Sequence, residues 1–457
     1  MYPEKTSTGY KLVKRWGIEL FSSTGNAGTD DGSPYGAYFS SSGLLYVADN
    51  TKIWEISNTG TATNRGTYVH GIVKSISFAD DGTNLIIATG STGYTLTMGI
   101  GTISAIVDAN YPTNCASVTF IDGYFVAAVP STGQFRLSAL LDPSDWTPLT
   151  FATAEGMGDN LVSVVAHDQN LYLFGARSIE LWYNTGSDSF PFERINGATI
   201  DTGIGPPVVA KRKESLFFMP PGFLASAGGE VSSSIYQIVG GQLNRISTPY
   251  IESVIISSAP TILNVYHENG HDFLSVYTPG SNLSYVYDID QGIWFETQTE
   301  NNQFLFDSPK FALNANSYLG NYPVCLDDYG RVYKIKPTIS TDAGTAISCS
   351  RIFGPIGNGS DELFHSKIRF VFEAAFDSTP STTFAGISID WTDDNGYSYS
   401  TAITPSVTIT TTTTGQLITA EARRLGMSAK RFYRMTCTGA ARFIFQGCYL
   451  DAQQGPE

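Results

Sequence analysis

His267-Glu268-Asn269-Gly270-His271 has the spacing in which two imidazoles on one helical face hold zinc and the glutamate between them acts as general base. That chemistry requires a helix. Val265-Tyr266 before it and Phe273-Leu274-Ser275-Val276-Tyr277 after it are strand-like, and Asn269-Gly270 is both a hairpin-turn pair and a poor helix interior. The stretch therefore predicts a turn and no metal centre. No Gly-x-Ser-x-Gly elbow, no phosphate loop and no dinucleotide-binding glycine motif occurs in the chain. The sequence thus names no catalytic residue, no cofactor-binding residue and no cofactor.

Thr392-Asp393-Asp394-Asn395-Gly396-Tyr397-Ser398-Tyr399 resembles an Asp box, a turn of sialidase-like propellers in which an aspartate caps a hairpin backbone. It is a folding element. A glycosidase would need two carboxylates facing a sugar about 5–10 Å apart, and no pair among the 42 acidic residues singles itself out. Two basic groups remain: Lys211-Arg212-Lys213, read as a solvated turn with a contact to DNA or an acidic partner as the sharper alternative, and Arg423, Arg424, Lys430, Arg431 and Arg434. The latter reads as gatekeeping charge on a strand edge or as a docking surface for an acidic neighbour.

The formal net charge of −15 argues against a general nucleic-acid binder, which needs cations to displace phosphate counterions. Such acidity is first of all a route to solubility; if a duplex passes through an assembly of this protein, an acidic wall would also repel it and let it slide. Cys115, Cys325, Cys349, Cys437 and Cys448 form no CxxC pair and fit a reducing compartment. Residues 1–25 lack the apolar core of a signal peptide, and no run approaches the ~18 apolar residues of a membrane span, so no integral membrane contact is expected.

The elements that would position any site are strands. Abundant aromatics (25 Tyr, 27 Phe) and glycines (45) with few charges imply many strands joined by tight turns, an all-β class. A weak repeat pairs two apolar strands per unit: Leu44–Val47 with Lys52–Ile56, Leu85–Ala88 with Tyr94–Leu96, Tyr124–Ala127 with Phe135–Leu137, and Leu171–Phe174 with Ile179–Trp182. It continues in Leu216–Phe218 with Ser234–Ile238, Phe273–Tyr277 with Ser284–Asp288, and Tyr318–Gly320 with Arg331–Ile335. A spacing of roughly 40–57 residues is that of propeller blades, though meanders forming sandwiches would also satisfy it. The expected organisation is a β-propeller-like region of six or seven blades over 1–337, a linker over 338–349, and a C-terminal β-sandwich over 350–457 with strands at His365–Glu373, Gly386–Trp391, Ser406–Thr410, Lys430–Thr436 and Ala441–Phe445.

The most distinctive stretch is Leu171–Asp201, LYLFGARSIELWYNTGSDSFPFERINGATID: a hairpin followed by Phe190-Pro191-Phe192, whose rings are expected over the hairpin edge. It resembles the packaged-DNA stabilisation proteins, the tail-hub proteins of short-tailed bacteriophages. Phe120–Val126 with Gly133-Gln134-Phe135 and Asp142–Trp146, the opening Tyr2-Pro3-Glu4, and Arg423–Gly426 with Gly447–Asp451 agree with that family. The opening match falls close to Met1, where chain usually precedes it in the family, so this copy is expected to be short at its start and no N-terminal arm is inferred.

The resemblance implies a structural virion protein of a phage tail, assembled in the host cytoplasm. It would attach below the portal and its adaptor ring, stabilise packaged DNA and form part of the ejection channel. Implied partners are copies of itself in a hexameric ring, portal-adaptor proteins, a tail needle or plug, and tail spikes or fibres, with genomic DNA only as transiting cargo. No interface residue carries over. The alternative is a virion-associated carbohydrate-active propeller, or a glycan-binding C-terminal domain with Trp391 and Tyr399 as its platform.

Overall fold

The computed structural model describes residues 1–6, 9–27, 34–71, 75–154, 158–205, 208–221, 234–255, 262–277, 284–297, 311–313, 322–357, 359–374, 386–411, 416–438 and 443–454. Strands dominate, and the helix found among these residues is a single short one, Pro249–Val254, capped by Thr248. The chain divides into two units, one of Leu20–Gln298 and Leu305–Lys334, the other of Met1–Glu19, Thr299–Phe304 and Ile335–Glu457.

In the first unit six four-stranded antiparallel sheets follow one another along the chain, starting with Gly36–Phe39, Leu45–Ala48, Lys52–Ile56 and Ala62–Thr67. A seventh sheet holds Phe311–Leu313, Val324–Leu326 and Arg331–Lys336, and its fourth place is taken by Gly17–Ser23 from the start of the chain. Thr24 N donates to Gly330 O at 2.9 Å, and Lys334 Nζ lies 3.7 Å over the Phe21 ring, so the strap is fixed by backbone and side chain alike.

Period-two alternation explains how these sheets stack. Phe125 and Ala127 pack against Ile86 and Ala88 of the second sheet, whereas Val126 lies with Leu171 and Leu173 of the fourth. Phe174 in turn meets Leu216 and Phe218 of the fifth. Both faces of the middle strands are therefore buried, which is why they read as continuous apolar runs. Val324, Leu326 and Val332 of the seventh sheet share a core with Leu45, Val47 and Trp54 of the first, which closes the ring. This is the arrangement of a β-propeller, in which neighbouring sheets shield each other's faces. The pairs read from sequence are the two middle strands of each sheet; Tyr318–Gly320 lies outside the described residues, and the corresponding strand is Val324–Leu326.

The second unit holds a seven-stranded sheet and a three-stranded one. In the larger, Leu363–Ala374 lies between Gln416–Arg423 and Phe443–Gln454, and Ser406–Thr411 occupies one end of the order. At the other end are Tyr2–Thr6 and Gly9–Val13, with Leu12 opposite Phe445, so these residues, placed within 1–337 by sequence, belong to the sheet of the C-terminal unit. The smaller sheet runs Ser348–Ile356, Arg431–Thr438, Gly386–Thr392. Phe370, Phe372, Ile389, Ile418, Tyr433 and Met435 from both sheets are fully buried in one core. Residues 338–349, expected as a linker, carry the short strands Thr341–Asp342 and Thr345–Ala346 and the start of Ser348–Ile356.

Candidate functional site

The His267–His271 stretch forms a hairpin turn between Ile262–Glu268 and His271–Tyr277, with Asn269 at φ 52° and Gly270 at φ 85°. A left-handed pair of this kind is what Asn-Gly supplies. His267 stands opposite Asp272 and Glu268 opposite His271, so the two imidazoles project from opposite faces and cannot share a metal. His267 Nδ1 lies 2.8 Å from Asp272 Oδ1, and His271 Nδ1 lies 2.8 Å from Asp288 Oδ2.

Asp272 also explains the basic triplet. Lys211 and Arg212, read from sequence as part of a solvated turn, lie in the strand Val209–Arg212, and Lys213 sits in the turn after it; Arg212 Nε donates to Asp272 Oδ1 at 2.8 Å and Lys213 Nζ lies 2.6 Å from Oδ2. Lys211 Nζ donates to the carbonyl of Ala166 at 3.3 Å. The triplet thus ties the fifth sheet to its two neighbours. Burial alone would raise the Asp272 carboxyl, but hydrogen bonds from Arg212, Lys213 and His267 outweigh it and bring it down to about 2.

Two further carboxyls, Asp288 and Asp327, are raised by burial, the signature a hydrolase acid would show. Each is consumed by a turn. Asp288 accepts from the amides of Asp290 and Gln291 at 3.0 Å, and Asp327 from those of Tyr329 and Arg331 at 2.9 Å. Neither side chain reaches solvent, so neither meets a substrate.

In the second unit Asp394 caps its turn as an Asp box does, accepting from Ser398 N at 2.9 Å and from Thr392 Oγ1 at 2.6 Å. Asp393 instead grips Arg431 with two bonds of 2.7 Å, and Asp390 grips Arg434 with bonds of 2.9 and 2.5 Å. Arg431 lies 5.1 Å from the Trp391 ring and Arg434 3.8 Å from Tyr399, so a guanidinium covers one face of each ring of the expected glycan platform. Arg423 shares Glu421 with Arg369. Arg424 is exposed at a left-handed turn position, φ 61°, and Lys430 leans over Phe432. The basic cluster seen in sequence is therefore mostly an internal bracing set. An open groove beside Ser406–Thr411 is lined by Thr404, Ser406, Thr408, Thr419, Glu421 and Arg423 and offers one carboxylate, already paired.

Leu171–Asp201 supplies the second, third and fourth strands of the fourth sheet. Phe192 begins the fourth strand, paired along the hairpin's outer edge, and the Phe190 and Phe192 rings pack on Phe135 and Tyr124 of the preceding sheet in the same core cluster as Leu171, Leu173 and Trp182 of the hairpin. Asp159 accepts from the amide and hydroxyl of Ser178 at 3.1 and 3.2 Å and so fastens the hairpin turn. Among the described residues Val107, Leu140, Leu141, Leu149 and Phe151 of the second and third sheets and their loops are exposed apolar side chains, as are Tyr397 and Tyr449 in the second unit. Sequence reasoning missed the Leu140-Leu141 pair, whose only local sign is that it precedes the turn-forming Asp142-Pro143. Among the described residues no group of His, Cys, Asp and Glu could hold a metal ion, and no helix is long and apolar enough to cross a membrane.

Residues 1–340 match the family described as Bacteriophage P22 Gp10, beta-propeller. Comparison with curated proteins gives no match. Among solved structures, the extracellular domain of the hybrid two-component system BT4673 from B. thetaiotaomicron is 12% identical at TM-score 0.48, covering 77% of this chain and 43% of its own. The computationally designed Ika8 protein is 12% identical at TM-score 0.41, covering 69% and 99%. A chain of the Mitotic Checkpoint Complex is 9% identical at TM-score 0.44, covering 74% and 100%. The chain thus spans less than half the length of the two-component-system domain.

Proposed function

Because the chain belongs to the phage-stabilisation family described as Bacteriophage P22 Gp10, beta-propeller, we propose that it is a structural component of a phage tail. In this reading it is a hub or nozzle subunit that joins the virion below the portal-adaptor complex, holds packaged DNA in place, and lines part of the path by which DNA leaves. The observation that carries the reading is the extent of the match, since residues 1–340 include every sheet of the propeller. Support also comes from the charge chemistry: Arg212, Lys213 and most of the C-terminal arginines are spent on carboxylates of the chain itself, as befits a scaffold.

Assembly in this reading is a homohexameric ring, its many modest contacts multiplied by symmetry. The net charge of −15 keeps DNA a sliding cargo. Adaptor proteins, a needle or plug, and spikes or fibres are its protein partners. The second unit, two sheets over one core, is read as a β-sandwich available to such neighbours.

The test is the mass of the purified protein by light scattering, alone and with portal-adaptor complexes. A defined ring on the adaptor is the expected result. A monomer indifferent to every adaptor complex, together with particles that protect their genome from nuclease equally well without it, would end the tail-hub reading and return attention to glycans.

A further inference from the structure

Two of the five cysteines meet across a strand pair. In the smaller sheet of the second unit, Cys349 on Ser348–Ile356 stands directly opposite Cys437 on Arg431–Thr438, flanked by the pairs Ser348–Thr438 and Ser350–Thr436. Opposed residues of an antiparallel pair project to the same face with Cα atoms about 4.5–5.5 Å apart. That lies within the ~4.4–6.8 Å that a disulfide spans. Both side chains sit in the shared core, and both are free thiols in this structure. Cys115 and Cys325 belong to the other unit, and Cys448 stands opposite Phe370, so no other pair in the second unit faces in this way.

Their surroundings differ in a way that sets an order of events. Arg431–Thr438 is the central strand of its sheet, whereas Ser348–Ile356 is an edge strand with Ser350, Arg351 and Ile352 exposed just beyond Cys349. Edge strands with solvent-facing side chains open locally far more readily than central ones. Burial pushes the Cys437 thiol up to about 12, while the ammonium of the fully buried Lys14, within electrostatic reach of both sulfurs, opposes that rise. The edge cysteine is thus the one that meets solvent on local opening, and the central cysteine is the one it meets on reclosure.

We propose that Cys349 and Cys437 form a redox-closable staple, dithiol in a reducing compartment and disulfide once the protein meets a low-molecular-weight disulfide oxidant such as oxidised glutathione. Opening of the edge strand exposes Cys349, whose thiolate attacks one sulfur of the oxidant and expels the first small thiolate. On reclosure the Cys437 thiolate attacks the Cys349 sulfur of the mixed disulfide and expels the second. Two protein thiols are oxidised and one small disulfide is reduced to two thiols, which take up the protons the cysteines released. The staple closes a loop of roughly ninety residues that contains most of the second unit, so it restricts the unfolded chain strongly. It stands independently of the tail-hub reading.

The experiment treats the full chain with oxidised glutathione at mildly alkaline pH, alkylates remaining thiols in denaturant, and maps the peptides by mass. Three free thiols in place of five, a Cys349–Cys437 link, reversal by dithiothreitol, and a melting temperature raised by roughly 5 °C or more in the oxidised form are expected. Cys437→Ser should trap glutathione on Cys349. The wild-type map decides the matter even if that variant does not fold: five unreacted thiols, glutathione retained on either cysteine of the wild type, or a link to a different cysteine would each overturn the proposal.

Discussion

The two units bury their apolar residues on different plans. The propeller has a succession of separate clusters, each between two neighbouring sheets, as with Val126, Phe135 and Trp182, or Phe217, Leu274 and Val276. The second unit gathers Phe370, Ile389, Tyr433 and Phe445 from both its sheets into a single cluster. A distributed core makes stability a sum of neighbour terms, as in repeat proteins, whereas a single core stands or falls together. The units should therefore answer the same kind of injury differently.

Phe370→Ala removes a fully buried ring that contacts Phe353 and Phe445, and should cost about 4 kcal/mol. Hydrogen exchange should accelerate in all strands of both sheets of the second unit. Phe135→Ala removes a ring of equal burial that touches Trp182 and Phe190, at about 3 kcal/mol, yet lost protection should stop at the third and fourth sheets. Equal loss in the first and sixth sheets would mean that the propeller melts as one body and would erase the contrast.

A smaller effect probes the polar ties between sheets. Asp272 has a folded pKa near 2, below its unfolded value of ~3.9, so its contribution is complete above about pH 4 and is lost as pH falls through about 2. Asp272→Asn should cost on the order of 2 kcal/mol at pH 7, and the gap from wild type should close over that acid window. A gap that persists unchanged at pH 2 would show that the ion pairs with Arg212 and Lys213 are not its source. Gly270→Ala, at φ 85°, should cost about 1 kcal/mol, with exchange altered only at the turn.

How far the fold could be read in advance follows from which strands have two covered faces. Leu45–Ala48 and Ser215–Phe218 are buried at every position and are legible as apolar runs. The outermost strands Ala62–Thr67, with no aliphatic residue larger than alanine, and Ser104–Ala105 face solvent and leave no hydrophobic trace. Nor could residues 1–13 announce their place, because their partner strand Phe443–Gln454 lies at the far end of the chain. The Asn269-Gly270 turn was legible since turn chemistry is local. The role of Lys211-Arg212-Lys213 was not, because the carboxylate that engages Arg212 stands 60 residues later.

The strap formed by Gly17–Ser23 sets a chronology for synthesis. The ribosome releases this strand before any of the six intervening sheets, yet the partner it needs, Arg331–Lys336, emerges only after all of them. Until then the nascent chain is an open arc with apolar Val324-type faces still unmade at one end and an unpaired strand at the other, the condition in which chains mispair or recruit chaperones. Closure is a contact of very long range and so a late, slow event. A message truncated anywhere before Arg331 would consequently yield no smaller ring, only an arc that cannot latch.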